Sequence, residues 1–321
     1  MLKHILVPLD GSPQAEAALG PAKVLAQRFD AELLLVRSVF DSEPPEPIDH
    51  PTRFTAAPDA QSYLDGIAAY LQSEGIVART SLLPMEPAEG IADEASFSKV
   101  DLIVMATHQR RGWNALLHPS ITWQVFRQDT APILACMCAD TRDPSTVLPR
   151  FMTDPKAPIL VPLDGSLDAE VVLPLAQELA RAFGNPLLLV RAAEQPYIAA
   201  SAMGYPTLVA EASKWSQEEA ESYLKRKQLE LASTGLAVNI ACALAPAALF
   251  IEEAAQEHHA GLIALASHGR GWLGQLMLGS VAKSVLKRVE LPILLERRHA
   301  VEAISQQPPA EQPQEAEPAT Q

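Results

Sequence analysis

Cysteine is scarce in this chain: three thiols in 321 residues fit a reducing compartment and leave no framework for a disulfide-stapled fold. Cys136 and Cys138 point to one face of an apolar strand and Cys242 lies in another, so core packing is their expected role rather than metal binding. No apolar run approaches the length of a membrane span. The first strand pattern begins at Leu2, which leaves no room for the charged head and apolar stretch of a signal peptide. A cytoplasmic protein with no membrane partner is the expectation. Basic charge is also thin. Against 39 Asp and Glu the chain has 25 Lys and Arg, a net charge of −14, with no basic cluster to meet a phosphate backbone. Nucleic acid is therefore not an expected partner, and the acidic excess serves solubility.

Catalytic motifs are missing too. There is no Gly-x-Ser-x-Gly elbow to present a nucleophile. Gly279-Ser280-Val281-Ala282-Lys283-Ser284 has the ending of a P-loop without its interval or its earlier glycine, and Lys283 would lie within a helix. His258-His259 falls at a helix end, where the dipole favours it more than metal ligation would. No catalytic residue and no metal site are assigned.

What the chain does have is a repetition. Ile5-Leu6-Val7-Pro8-Leu9-Asp10-Gly11-Ser12 returns unchanged as Ile159-Leu160-Val161-Pro162-Leu163-Asp164-Gly165-Ser166. Val104-Met105-Ala106-Thr107-His108 is echoed by Ala264-Leu265-Ala266-Ser267-His268, and Ala131-Pro132-Ile133-Leu134 by Leu291-Pro292-Ile293-Leu294. The chain is therefore two copies of one domain. Its length and its 48% hydrophobic content allow each copy a core of its own.

Each copy alternates short apolar runs with longer helical patterns, the mark of a parallel sheet with helices on both faces. Strands are expected near 3-9, 32-38, 78-84, 101-106 and 132-138, and again near 158-163, 187-192, 237-244, 261-266 and 292-296. Helices are expected near 13-28, 57-74, 87-97 and 120-128, then near 167-183, 208-234, 246-258 and 280-289. Runs such as Leu33-Leu34-Leu35-Val36 and Leu187-Leu188-Leu189-Val190 are continuous rather than alternating, as strands buried on both faces require. The fold class is α/β, with two tandem doubly wound, Rossmann-like domains, each a five-stranded parallel sheet of order 3-2-1-4-5. The first domain is residues 1-139, the linker 140-156, the second domain 157-297, and the Gln, Pro, Glu and Ala-rich tail 298-321 is expected to be disordered. Loops at 42-47 and around 195-207 are long enough to lid a crevice. The fifth strand of each copy would leave a bare edge, so the domains are expected to pair as an intramolecular pseudo-dimer, with a homodimer also open to the chain.

In such a sheet, ligands bind beyond the carboxyl ends of strands 1 and 4, where the order reverses. In the second copy that place has Asp164 and the loop Ala266-Ser267-His268-Gly269-Arg270-Gly271, which leads to Gly279-Ser280-Val281 at a helix start. Free amides and the positive helix end favour phosphate there, and Gly269 and Gly279 let the backbone come close. The same glycines would equally serve a tight loop and Ser280 a plain first turn. His268 would touch a phosphate or serve a structural bond.

The arrangement resembles the universal stress protein family, whose ATP-binding members share Gly-x2-Gly-x9-Gly-Ser/Thr after strand 4 and an Asp after strand 1. The resemblance covers residues 1-139 and 157-297, with Ala266 in place of the first glycine and Gly269, Gly279 and Ser280 at the matching spacing. It implies an adenine nucleotide α-hydrolase-like fold and ATP, with Mg, in the second domain. It also implies that Gly269, Gly279, Ser280 and Val281, with His268 and Arg270 beside them, meet phosphates. Pro162, Leu163, Asp164 and Arg191 would then meet ribose and adenine, although Arg191 stands where a small apolar residue is more usual. The first copy departs from the signature with Gln109 and Pro119, and Pro119 has no N–H to donate, so it is expected to be a degenerate copy; Arg110 and Arg111 leave a weaker anion site open. The implied function is stress-linked regulation by nucleotide binding rather than turnover. A nucleotide-free interaction module and a slow adenine-nucleotide hydrolase are the alternatives.

Overall fold

In the computed structural model the described residues are 1–40, 59–107, 121–128, 130–137, 146–193, 206–267 and 279–297. The first domain runs β1 (His4–Pro8), α1 (Pro13–Glu16), α2 (Leu19–Phe29), β2 (Glu32–Ser38), α3 (Ala60–Ser73), β3 (Ala78–Leu83), α4 (Pro87–Phe97), β4 (Leu102–Thr107), α5 (Ile121–Gln128) and β5 (Ile133–Met137). The second runs α6 (Arg150–Thr153), β6 (Ile159–Pro162), α7 (Leu167–Glu170), α8 (Leu173–Phe183), β7 (Leu187–Ala193), α9 (Pro206–Ala232), β8 (Val238–Leu244), α10 (Ala247–Glu257), β9 (Leu262–Ser267), α11 (Ser280–Arg288) and β10 (Ile293–Arg297). The tail beyond 297, the loop 42-47, residues 195-205 of the second loop and Cys138 lie outside the described residues.

Both halves adopt the order 3-2-1-4-5, and the two sheets merge into one of ten strands, β3-β2-β1-β4-β5-β10-β9-β6-β7-β8. All pairings are parallel except at the seam, where β10 meets β5 antiparallel with Leu294 opposite Leu134. The two expected bare edges thus cover each other. Alternate side chains feed two cores: Ile5, Val7, Leu134 and Leu294 pack on one face, and Leu6, Ile103, Ile133 and Ile293 on the other. Cys136 is buried in the first of these, and burial pushes its thiol up to about 12.

The helix patterned over 13-28 is broken into α1 and α2. Pro21 has no N–H to return to the carbonyl of Ala17, so the helix cannot run through this turn. The second copy breaks in the same way, with Pro174 at the start of α8, four residues after Glu170 ends α7. The Asp-Gly-Ser turns are duplicates in geometry as in sequence. Asp10 and Asp164 each accept from the amide of the Ser two residues on at 2.8 Å, and Gly11 and Gly165 have φ of 89° and 94°. Ser12 and Ser166 then cap their helices by accepting from Ala15 and Ala169.

The stretch expected to be a plain linker is in part an anchor. Phe151 of α6 is fully buried, edge-on to Phe183 at 5.5 Å between ring centroids. The Asn185 amide donates to the carbonyls of Asp154 and Ala157. A Cβ at Gly261 would stand 2.7 Å from the Phe151 amide nitrogen, so only glycine lets the segment lie this close. One aromatic among Asp, Thr, Arg and Pro has no periodicity, which is why the sequence alone reads as linker.

Further contacts tie the halves together. The Leu2 amide and the Met1 amino group both meet the Glu178 carboxylate on α8, and the Arg28 guanidinium lies over the Phe183 ring. At the seam, buried Arg297 donates to the carbonyls of Phe126 and Arg127, each at 3.2 Å, in the last turn of α5. A cation at a helix carboxyl end is favourable. Arg297→Ala is expected to destabilise the chain by about 1.5 to 3 kcal/mol, because it strands buried carbonyls. Thermal melting checks this, and an unchanged Tm would show that the contact contributes nothing.

Candidate functional site

The crevice of the second domain opens where β6 and β9 part. Their register holds for Ile159 with Leu262 and Leu160 with Ile263, and then the strands diverge, one toward β7 and the other toward β10. Pro162, Leu163 and exposed Asp164 leave the end of β6; Ala266 and buried Ser267 end β9. The Leu163 amide is committed to the Val190 carbonyl at 2.9 Å. His268, Gly269 and Arg270 lie outside the described residues.

Gly279 is the N-cap of α11, with φ −54° and ψ 153°, and no side chain caps the helix there. The first helical bond runs from the Lys283 amide to the Gly279 carbonyl. The amides of Ser280, Val281 and Ala282 therefore precede the helical ladder and have no acceptor within it. A Cβ at Gly279 would meet nothing within 4 Å, and Ser280 and Val281 are exposed beside it. A glycine N-cap followed by amides outside the helical ladder, with nothing near the Gly279 Cβ position among the described residues, is an arrangement that favours an anion.

At the Asp164-Gly165 turn a side chain lies over the backbone. Arg191, near the end of β7, reaches across the Asp164-Gly165 turn, its guanidinium 3.1 Å from where a Gly165 Cβ would be. It lies 4.9 Å from the Tyr223 ring centroid and makes two bonds to Glu219, at 3.2 and 2.9 Å. Beneath it, the Tyr223 hydroxyl donates to Glu170 at 2.7 Å, and Lys227 bridges Glu170 and Glu230. Burial, then the bond to the Glu170 carboxylate, pushes the Tyr223 hydroxyl well above its ordinary value. Burial works against the Lys227 charge, but the bonds to Glu170 and Glu230 outweigh it and hold its pKa up. The polyphosphate end of a nucleotide fits the residues present. At the Asp164-Gly165 turn the Arg191 guanidinium occupies the space over the backbone.

The family description of the universal stress proteins matches the chain twice, over residues 1–136 and 157–297. The chain belongs to the universal stress protein family. A universal stress protein of Methanocaldococcus jannaschii is 28% identical over 138 residues, covering 42% of this chain and 81% of its own. Among solved structures, a universal stress protein from Archaeoglobus fulgidus DSM 4304 superposes with a TM-score of 0.64 at 18% identity, covering 93% of this chain and 97% of its own. The crystal structure of one from Pseudomonas aeruginosa UCBPP-PA14, described there as putative, does so with 0.61 at 17%, covering 92% and 93%. At these identities the structures show the fold, and they show it for both halves of this universal stress protein at once.

The first universal stress domain repeats the covered turn with a difference. Arg37 lies 5.2 Å from the Tyr63 ring centroid and as close over Gly11, while the Tyr63 hydroxyl donates to buried Glu16 at 3.2 Å. Gln109, Arg110, Arg111 and Pro119, on which its degeneracy was argued, lie outside the described residues. Sequence reasoning singled out Arg191 and passed over Glu170, Glu219, Tyr223 and Lys227. The internal repeat held the missing signal: Glu16 and Glu170, Arg37 and Arg191, Tyr63 and Tyr223 are identical pairs at matching places in two copies that differ at most positions.

Proposed function

We propose that this universal stress protein binds ATP in its second domain and acts as a stress-response regulator through that binding rather than through turnover. The observation that carries the reading is the start of α11, where the amides of Ser280, Val281 and Ala282 precede the helical ladder and no side chain caps the helix. When bound, the nucleotide supplies the negative charge that these amides and the helix end are oriented to meet. Asp164 would lie toward the ribose. Magnesium would come with the phosphates, which bind it through their own oxygens. Among the described residues no helix is long and apolar enough to cross a membrane.

The asymmetry of the copies sets the stoichiometry. In sequence the second copy has Gly269 and Gly279 at these positions, whereas the first has Gln109 and Pro119, and a proline has no N–H to donate. Isothermal titration of the full chain with ATP and Mg is expected to show one site per chain. Two equivalent sites would sink the assignment to one domain, and no heat at all would favour the second reading, a nucleotide-free pairing module. That alternative draws on one observation, the guanidinium of Arg191 across the Asp164-Gly165 turn.

A further inference from the structure

The side chain that lies over the Asp164-Gly165 turn of the second domain is itself tied down, and among the described residues the tie is particular to that domain. Arg191 on β7 is bound through both nitrogens to Glu219 on α9, a link between strand and helix that holds the guanidinium over the Asp164-Gly165 turn. The two ends of the link differ. The Arg191 side chain is 15% exposed, lying against Tyr223, while that of Glu219 is 52% exposed. An ion pair with one partner half in water is a weak bias, of a size that a ligand overcomes.

Among the described residues, the first domain has the arginine without the tie. Arg37 takes the same position over Gly11 and Tyr63, but Asp59, which stands where Glu219 does relative to the tyrosine, caps α3 instead. Its carboxylate accepts from the Ser62 amide at 2.9 Å and from the Ser62 hydroxyl at 2.8 Å. In the second domain α9 already begins at Pro206, so Glu219 lies within the helix, has no capping duty and is available to Arg191.

We propose that Glu219 is a latch on the second crevice: by holding Arg191 across the turn it weakens binding of the adenosine half of a ligand and leaves the polyphosphate end at Gly279 unaffected. The latch sets how far the site prefers a nucleotide over a bare polyphosphate chain. The inference rests on the nucleotide reading above. Arg191 is then a positioning residue with two states, closed on Glu219 and displaced, and the ligand is bound in the second.

The test is titration of the full chain, as wild type, Glu219→Ala and Glu219→Gln, with MgATP and separately with magnesium tripolyphosphate. The ratio of the two affinities is the readout, because a lost carboxylate strengthens both anions through the general field and only an opened latch favours the one with adenosine. Both variants are expected to raise the ratio by about two- to five-fold, the scale of a partly exposed ion pair. An unchanged or lowered ratio, with both ligands still bound, overturns the latch and leaves the nucleotide reading standing. If tripolyphosphate binds every form and ATP none, or neither binds any form, the nucleotide reading has failed and the latch falls with it. Glu219 is too exposed for its replacement to unfold the domain.

Discussion

Gly279→Asp is expected to abolish nucleotide binding in a chain that is no less stable than the wild type. The backbone at Gly279, φ −54° and ψ 153°, is one that aspartate adopts freely, and the new Cβ meets nothing within 4 Å. Asp is among the best N-cap residues, ahead of glycine by about a few tenths of a kcal/mol, because its carboxylate accepts from the amides two and three places on. Those are the amides of Val281 and Ala282, the donors a polyphosphate would need. The substitution thus satisfies the helix with the very groups it withholds from the ligand. Each charge-assisted bond lost costs about 1.5 to 3 kcal/mol, or ten- to hundred-fold in affinity, before repulsion between carboxylate and phosphate is added. Calorimetric titration and thermal melting on one preparation separate the two effects. Undiminished binding heat would show that the helix start is not the site, and a fall in Tm would assign any lost binding to unfolding instead.

Phe151→Ala is expected to have the largest effect on stability. The ring is fully buried, packs edge-on against Phe183 and lies in a segment seated against Gly261. Truncating a buried phenylalanine costs about 3 to 5 kcal/mol, and the neighbouring backbone at Gly261 is too close-fitted to collapse into the space. Phe183 also carries Arg28 of the first domain over its ring, so the loss is expected to loosen contact between the halves. Urea unfolding should show a lower midpoint with little change in slope. A shift worth less than about 1 kcal/mol would mean that the segment is peripheral after all.

The elements legible in the sequence were those whose pattern repeats. Continuous apolar runs at Leu33 to Val36 and Leu187 to Val190 could only be strands covered on both faces, and the duplicated Asp-Gly-Ser turn marked where strand becomes helix. The seam was legible as well, because an apolar fifth strand in each copy needs a neighbour. What escaped was carried by single residues. Pro21 splits a helix that apolar spacing alone would run unbroken, and Phe151 anchors a stretch with no period. Glu219 lies in α9 among many exposed acids, and nothing in its own surroundings in sequence distinguishes it from Glu218 or Glu221. Its partner comes from a strand 28 residues earlier, and only the folded chain brings them together.

The antiparallel join between β5 and β10 lies inside one polypeptide, and this frees the halves from having to match. When two identical chains meet across such a join, every substitution arrives on both sides of the axis, and a change useful to one crevice is imposed on the other. Here equivalent positions of the two sides differ: Met137 corresponds to Arg297, Ile67 to Lys227, and Asp59 to Glu219. The join also reverses strand direction, so the carboxyl ends of the two half-sheets lie on opposite rims. Because the two halves differ at these positions, the two rims are not equivalent, whereas in a symmetric pair they would be.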